Sequence, residues 1–160
     1  MSKHAGHERE LPHNHLYQIL LPMIFITIWF LDTQLFQFST ILNQYLPLVI
    51  RFIGFALLLV TALFFIYSSH QTIFKSNNPP NTLIREGILK YTRNPMYFGI
   101  LLIYLSLIAL SLSLISIGVF IFVFLAYNKI ADYEGKILED LFGEEYLKYK
   151  SEVSKWIPLP

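Results

Sequence analysis

The chain has 160 residues, enough for one domain, and 54% of them are hydrophobic against 14% charged. Apolar runs about 20 residues long exclude a disordered or soluble class and point to a protein of the bilayer. A net charge of only +1 gives no basis for a nucleic-acid partner, and the lack of cysteine excludes disulfides, thiolate metal sites and a cysteine nucleophile.

Residues 1–15 are polar and carry His4, His7, His13 and His15. Without an H-E-x-x-H frame or a third partner, these histidines read as part of a solvated tail rather than a metal site. The first span is predicted over 16–36, with Pro22 inside it. No small-residue cleavage site follows, so the run reads as a retained span and not a removed signal peptide. Asp32 marks its exit into water, with a buried acidic role as the alternative. An uncharged loop over 37–46 leads to a second span over 47–67, where Arg51 is placed to snorkel at the outer end.

Residues 68–93 form a polar connection. Asn77, Asn78, Pro79 and Pro80 cannot continue a helix, and a loop this long in a small chain is often functional. From Pro95 to Tyr127 no charge occurs. A single helix of that length would run about 50 Å, against a hydrocarbon core of about 30 Å. Two spans over 95–111 and 114–130 fit instead, a hairpin turning near Ser111, Ser113 and Ser116. There the serines and Gly118 would allow close helix approach. Beyond it, Leu138, Phe142, Tyr146, Tyr149, Val153 and Trp156 recur at intervals of three and four, the pattern of amphipathic helices on a membrane surface, with Gly143 dividing two segments. The predicted fold is an all-α membrane protein: about four transmembrane helices, the last two a hairpin, then C-terminal amphipathic helices, in a single domain over 16–160. Lys3, Arg9, Lys75, Arg85, Lys90, Arg93, Lys129, Lys136, Lys148, Lys150 and Lys155 fall on one side of these spans and Arg51 on the other. The positive-inside rule then places both termini in the cytoplasm.

The chemistry concentrates in the corner Gly87–Gly99, G-I-L-K-Y-T-R-N-P-M-Y-F-G. A structural reading makes Asn94 an N-cap, Pro95 the first helical residue, Arg93 a snorkelling cation and Tyr97 part of the interfacial aromatic belt. It leaves Gly87, Tyr91 and Gly99 unexplained. No G-x-G-x-x-G follows a strand, and neither G-x-S-x-G nor a phosphate loop occurs. Any cofactor must therefore be held by loops and helix ends at the cytoplasmic membrane edge. The helix starting at Pro95 offers free backbone N–H groups beside Arg93, a cradle for an anion.

Gly87, Arg93, Pro95, Tyr97 and Gly99 together resemble the Arg-His-Pro-x-Tyr segment of integral-membrane methyltransferases of the isoprenylcysteine carboxyl methyltransferase type, with Asn94 in place of the histidine. A second block, Glu134, Leu138, Phe142-Gly143, Tyr146, Tyr149, Trp156 and Pro158, is similar to their C-terminal frame, with Gly135 replacing a second glutamate. The resemblance covers residues 70–158. It implies S-adenosylmethionine as cofactor, bound by Asn81, Thr82, Leu83, Ile84, Leu89, Asn94, Pro95, Met96, Tyr97 and Glu134. Leu89 stands where a tyrosine is usual. It also implies catalytic roles for Arg93 and for Lys129, beside Ile130, where relatives acting on prenylated cysteine carry arginine. The partners are a lipophilic methyl acceptor and membrane lipids. The reaction class is in-line methyl transfer to a carboxylate, thiol or amine, and the lack of an obvious general base favours a pre-ionised acceptor. Two alternatives stand beside this one. A sterol-type membrane reductase would carry Pro-Asn-Tyr, where this chain has Asn94-Pro95-Met96-Tyr97. A non-catalytic four-span homologue would account for Gly135 and Ile130.

Overall fold

The computed structural model describes residues 14–74 and 82–157, so Asn81, Pro158 and the tail through His13 lie outside the described residues. Helix α1 (Asn14–Phe30) runs through Pro22 and continues as a π-helical turn, Leu31–Phe36. Lipid-embedded helices tolerate such a proline when neighbouring groups take up the freed carbonyl. After a single 3-10 turn at Ile41–Gln44 come α2 (Leu48–Phe74), a second 3-10 turn at Gly87–Lys90, α3 (Pro95–Ser111), α4 (Leu114–Phe142) and α5 (Glu144–Glu152). The described residues contain no strand. Leu16–Phe36, Leu48–Ile73 and α4 are each long and apolar enough to cross a membrane, and α3 is a shorter apolar helix. This is an all-α membrane protein.

Two helix pairs make the bundle, α2 on α3 and α1 on α4. The first pair is very close because it meets through small residues. A Cβ on Gly99 would lie 2.9 Å from the Ala62 carbonyl oxygen and 2.7 Å from Ile66 Cγ1, so the two backbones touch there. Gly118, expected to serve the α3–α4 hairpin in this way, has no atom within 4 Å of where its Cβ would be. Large side chains hold α3 and α4 apart instead: the rings of Tyr97 and Tyr127 lie 5.5 Å apart, with Leu101, Tyr104, Ile108 and Val123 buried beside them. Phe25 of α1 closes this core, edge-on to Tyr104 at 4.6 Å.

The C-terminal end of α3 is tied shut. Leu112 takes a left-handed conformation (φ +48°) and Ser113 caps α4 by accepting from the Ser116 N–H at 2.9 Å. Asp32 does not exit into water. It is 3% exposed, and it accepts from Ser39 N at 3.0 Å and from the hydroxyls of Ser39 and Ser113, each at 2.5 Å. Arg51 does not snorkel to lipid either. Its Nη1 donates to Leu110 O at 2.9 Å and Asn43 Oδ1 at 2.7 Å, answering the negative C-terminal end of α3.

Two other boundaries differ from the sequence expectation. α2 continues seven residues past 67 because Ser68–Thr72 contains no breaker, and Thr72 Oγ1 donates back to Ser68 O at 2.9 Å. α4 does not stop at 130 but runs unbroken to Phe142, ending where Gly143 adopts φ +53°. The amphipathic face beyond 130 covers the protein rather than lipid: Tyr146 and Tyr149 are 3% and 4% exposed.

Candidate functional site

At the N-terminal end of α3 the chain leaves a hollow. The turn that opens it depends on Gly87, whose φ is +56° and whose Cβ would lie 2.4 Å from Thr72 Oγ1. Any side chain would drive the 87–90 turn off the end of α2. Past this turn Arg93 is fixed by the C-terminal tail: its N–H donates to Ser154 O and its Nε to Val153 O, both at 3.0 Å. The terminal N–H groups of its fork have no partner among the described residues. Asn94 occupies the N-cap position, yet its side chain makes no capping bond; Nδ2 donates to Lys155 O at 3.1 Å instead. With Pro95 next, the first free N–H groups of α3 are left uncapped beside the guanidinium.

Across the hollow α4 brings Glu134, whose Oε1 accepts from Tyr97 Oη at 2.5 Å. The phenol thus orients the carboxylate from the first turn of α3. Thr82, Leu83, Ile84, Leu89, Arg93, Asn94 and Glu134 all line one cavity of about 230 Å³. A neighbouring cavity of about 340 Å³ shares Leu89, Arg93, Asn94 and Glu134 with it and adds Pro95, Met96 and Tyr97. The described residues named from the sequence for the cofactor therefore converge, from the 82–84 segment, the 87–90 turn, α3 and α4, on two adjoining hollows. Lys129 does not join them. It is exposed and lines a separate cavity with Tyr17, Ile130 and Tyr133. Five residues before Glu134 on one helix, it points about 140° away from that carboxylate.

Sequence reasoning overlooked part of the wall. Leu138, Phe142, Tyr146 and Tyr149 line the first cavity; their spacing was visible and read as one face of amphipathic helices on the membrane surface. Tyr149 Oη donates to Leu89 O at 2.7 Å, so α5 is pinned over the 87–90 turn. Burial pushes this phenol up to about 12 despite the opposing charges of Arg93 and Arg85. Gly135 also lines the cavity, and a Cβ there would come 3.0 Å from Tyr146 Oη. Ser69 and Gln18 line the second cavity, and nothing in their sequence surroundings marked them. The tail itself is held by Trp156, whose Nε1 donates to Asn128 Oδ1 at 3.1 Å, and by Lys155, whose Nζ reaches Asp132 Oδ1 at 2.6 Å.

The donor set suits a ligand that is cationic at one point and anionic at another. A carboxylate held by a phenol faces an apolar wall, and a guanidinium beside uncapped N–H groups lies across from it. That is the charge pattern of S-adenosylmethionine, and these residues fit it. Among known proteins, the family model for phospholipid methyltransferases matches residues 46–145. Neither a curated protein nor a solved structure matches the chain.

Proposed function

Because the chain belongs to the phospholipid methyltransferase family, we propose that it is an S-adenosylmethionine-dependent enzyme that methylates the polar head of a lipophilic acceptor at the cytoplasmic membrane face. The observation that carries this reading is the convergence of Arg93, Asn94, Glu134 and the 82–84 segment on one hollow at the N-terminal end of α3. Arg93 and the uncapped N–H groups of α3 would hold the cofactor's carboxylate, and Glu134 its cationic centre. Leu83, Ile84, Leu89 and Phe142 would supply apolar contact for its base. When bound, S-adenosylmethionine supplies an electrophilic methyl group on a positively charged sulfur. Tyr97 keeps Glu134 in place, and α5, pinned through Tyr149, keeps water from the apolar wall. Arg93 is a binding residue in this scheme, and Lys129, in its own cavity, takes no part in it. Among the described residues no histidine lines either hollow, and Glu134 serves the cationic sulfur, which favours an acceptor that arrives already ionised or unprotonated. The sterol-reductase reading loses its footing with the family match.

The orientation follows from charge. Arg93, Lys148, Lys150 and Lys155 stand at the hollow's end of the bundle and Arg51 at the other, so the positive-inside rule puts the site and both termini in the cytoplasm. The chain lacks cysteine, so single cysteines introduced in place of Gln44 and of Lys148 should label from opposite sides of the membrane; labelling from one side would overturn this topology. The functional test is calorimetric titration in nanodiscs with cofactor and with its demethylated product. Glu134→Gln should weaken the cationic cofactor about tenfold to a hundredfold and the neutral-sulfur product far less. Equal affinities in wild type and a folded Glu134→Gln protein would refute the assignment.

A further inference from the structure

The second hollow contains a polar group that the cofactor reading does not use. Ser69, on α2, is 0% exposed, and its hydroxyl has no hydrogen-bond partner among the described residues. Other hydroxyls on this helix behave differently: Thr61 donates to Leu57 O at 2.8 Å and Thr72 to Ser68 O at 2.9 Å. A buried hydroxyl left unpaired is costly and uncommon in a native structure, and one that lines a cavity is explained by a ligand that completes it.

The position of the hollow narrows the ligand. Its walls include Gln18 from α1 and Ser69 and Ile73 from α2, with Tyr97 and Glu134 at its floor. It shares Glu134 and Arg93 with the first hollow, so a molecule in one borders a molecule in the other. α1 packs on α4 and α2 on α3, while α1 and α2 are not a packed pair. Ile73, one turn after Ser69 and itself in the wall, and Ile19, next to Gln18, are exposed and apolar. An aliphatic chain can lie there with its head turned inward to Ser69.

We infer that the hollow between α1 and α2 is a subsite for an amphiphile, with the Ser69 hydroxyl and the Gln18 amide bonding its polar head and the α1–α2 gap taking its chain. Naming that amphiphile the methyl acceptor rests on the proposed methyltransferase function; the subsite itself rests on Ser69. Gln18 lies outside the residues that match the family, so part of the acceptor specificity comes from this chain's own first helix.

The cysteine-free chain allows a direct test. The Ser69→Cys protein, in phosphatidylcholine nanodiscs, is treated with a small methanethiosulfonate reagent. The introduced thiol should label, and at least one of decylamine, decanoate or decanol should slow labelling fivefold or more. Ser106→Cys is the control, since Ser106 is equally buried but donates to Ile103 O at 2.7 Å; it should stay unlabelled. Resistance of the Ser69→Cys thiol to labelling, or labelling that no amphiphile slows, overturns the subsite. Thermal shifts give a second measurement. The protecting amphiphile should raise the melting temperature of wild type and do so less in Ser69→Ala, whose cofactor affinity should stay within twofold. A tenfold loss of cofactor affinity in Ser69→Ala would move Ser69 into the cofactor site and also overturn the inference. If wild type binds no cofactor while amphiphiles still protect the Ser69→Cys thiol, the methyltransferase reading fails and the subsite stands.

Discussion

The two ends of α3 each carry a carboxylate, yet they are built for opposite purposes. At the C-terminal end Asp32 is buried and its oxygens are taken by Ser39 and Ser113, while Arg51 caps the helix carbonyls. At the N-terminal end Glu134 receives the Tyr97 hydroxyl but faces a hollow, and the cap position of the helix is held by an asparagine that bonds elsewhere. A carboxylate enclosed by its own protein's donors contributes to stability and cannot meet a ligand. One that lines a cavity can meet a ligand.

The comparison breaks most visibly at the C-terminal end. Asp32→Ala removes charge-assisted bonds to a backbone N–H and two hydroxyls, so it should cost about 3 kcal/mol of stability. Its signature is a lower melting temperature in detergent with cofactor affinity unchanged at temperatures where the protein is folded. Arg93→Ala should do the reverse. Cofactor and product both keep their carboxylate, so both affinities should fall about tenfold to a hundredfold by calorimetry, with a small change in melting. A matched pair of glycines then sharpens the role of close packing. Gly99→Ala forces a Cβ against Ala62 O and should cost about 1–3 kcal/mol, whereas Gly118→Ala, with open space around it, should be neutral or stabilising by up to about 1 kcal/mol. Similar melting shifts for both would contradict the α2–α3 contact.

The smallest expected effect is Tyr149→Phe, which removes one buried bond to Leu89 O, about 1 kcal/mol. Its pH dependence carries a definite sign. The folded phenol titrates near 12, above an ordinary value of about 10. Its contribution is fully present below about 10 and is lost as pH rises through about 12. Wild type and Tyr149→Phe should therefore differ by a constant amount from about pH 6 to 9, and wild type should lose that advantage as pH rises through about 12, as followed by chemical denaturation.

Local rules of the chain were enough for the helices and for the corner around Arg93. Apolar length predicted the α3 boundaries at 95 and 111, and Gly143 stopped α4 as an achiral residue able to take φ +53°. Gly87 and Glu134 stood out only through the resemblance of two sequence blocks to membrane methyltransferases, since residue type alone leaves the glycine unexplained and makes the glutamate a solvated acid; Arg93 and the Asn94-Pro95 helix start also carry charge and capping chemistry of their own. Composition could not say what each polar residue inside the bundle faces. Asp32 and Arg51 looked like exits to water and lipid because their partners, Ser113 and Leu110, are some 60 to 80 residues away along the chain. The stripe through Tyr146 and Tyr149 has the same period whether it covers lipid or a cavity; only the turn at Gly143 and the bond to Leu89 choose between them. Ser69 is the extreme case. One serine near a helix end carries no sequence signal, and it acquires meaning only where α1, α2 and α4 leave it enclosed beside Glu134.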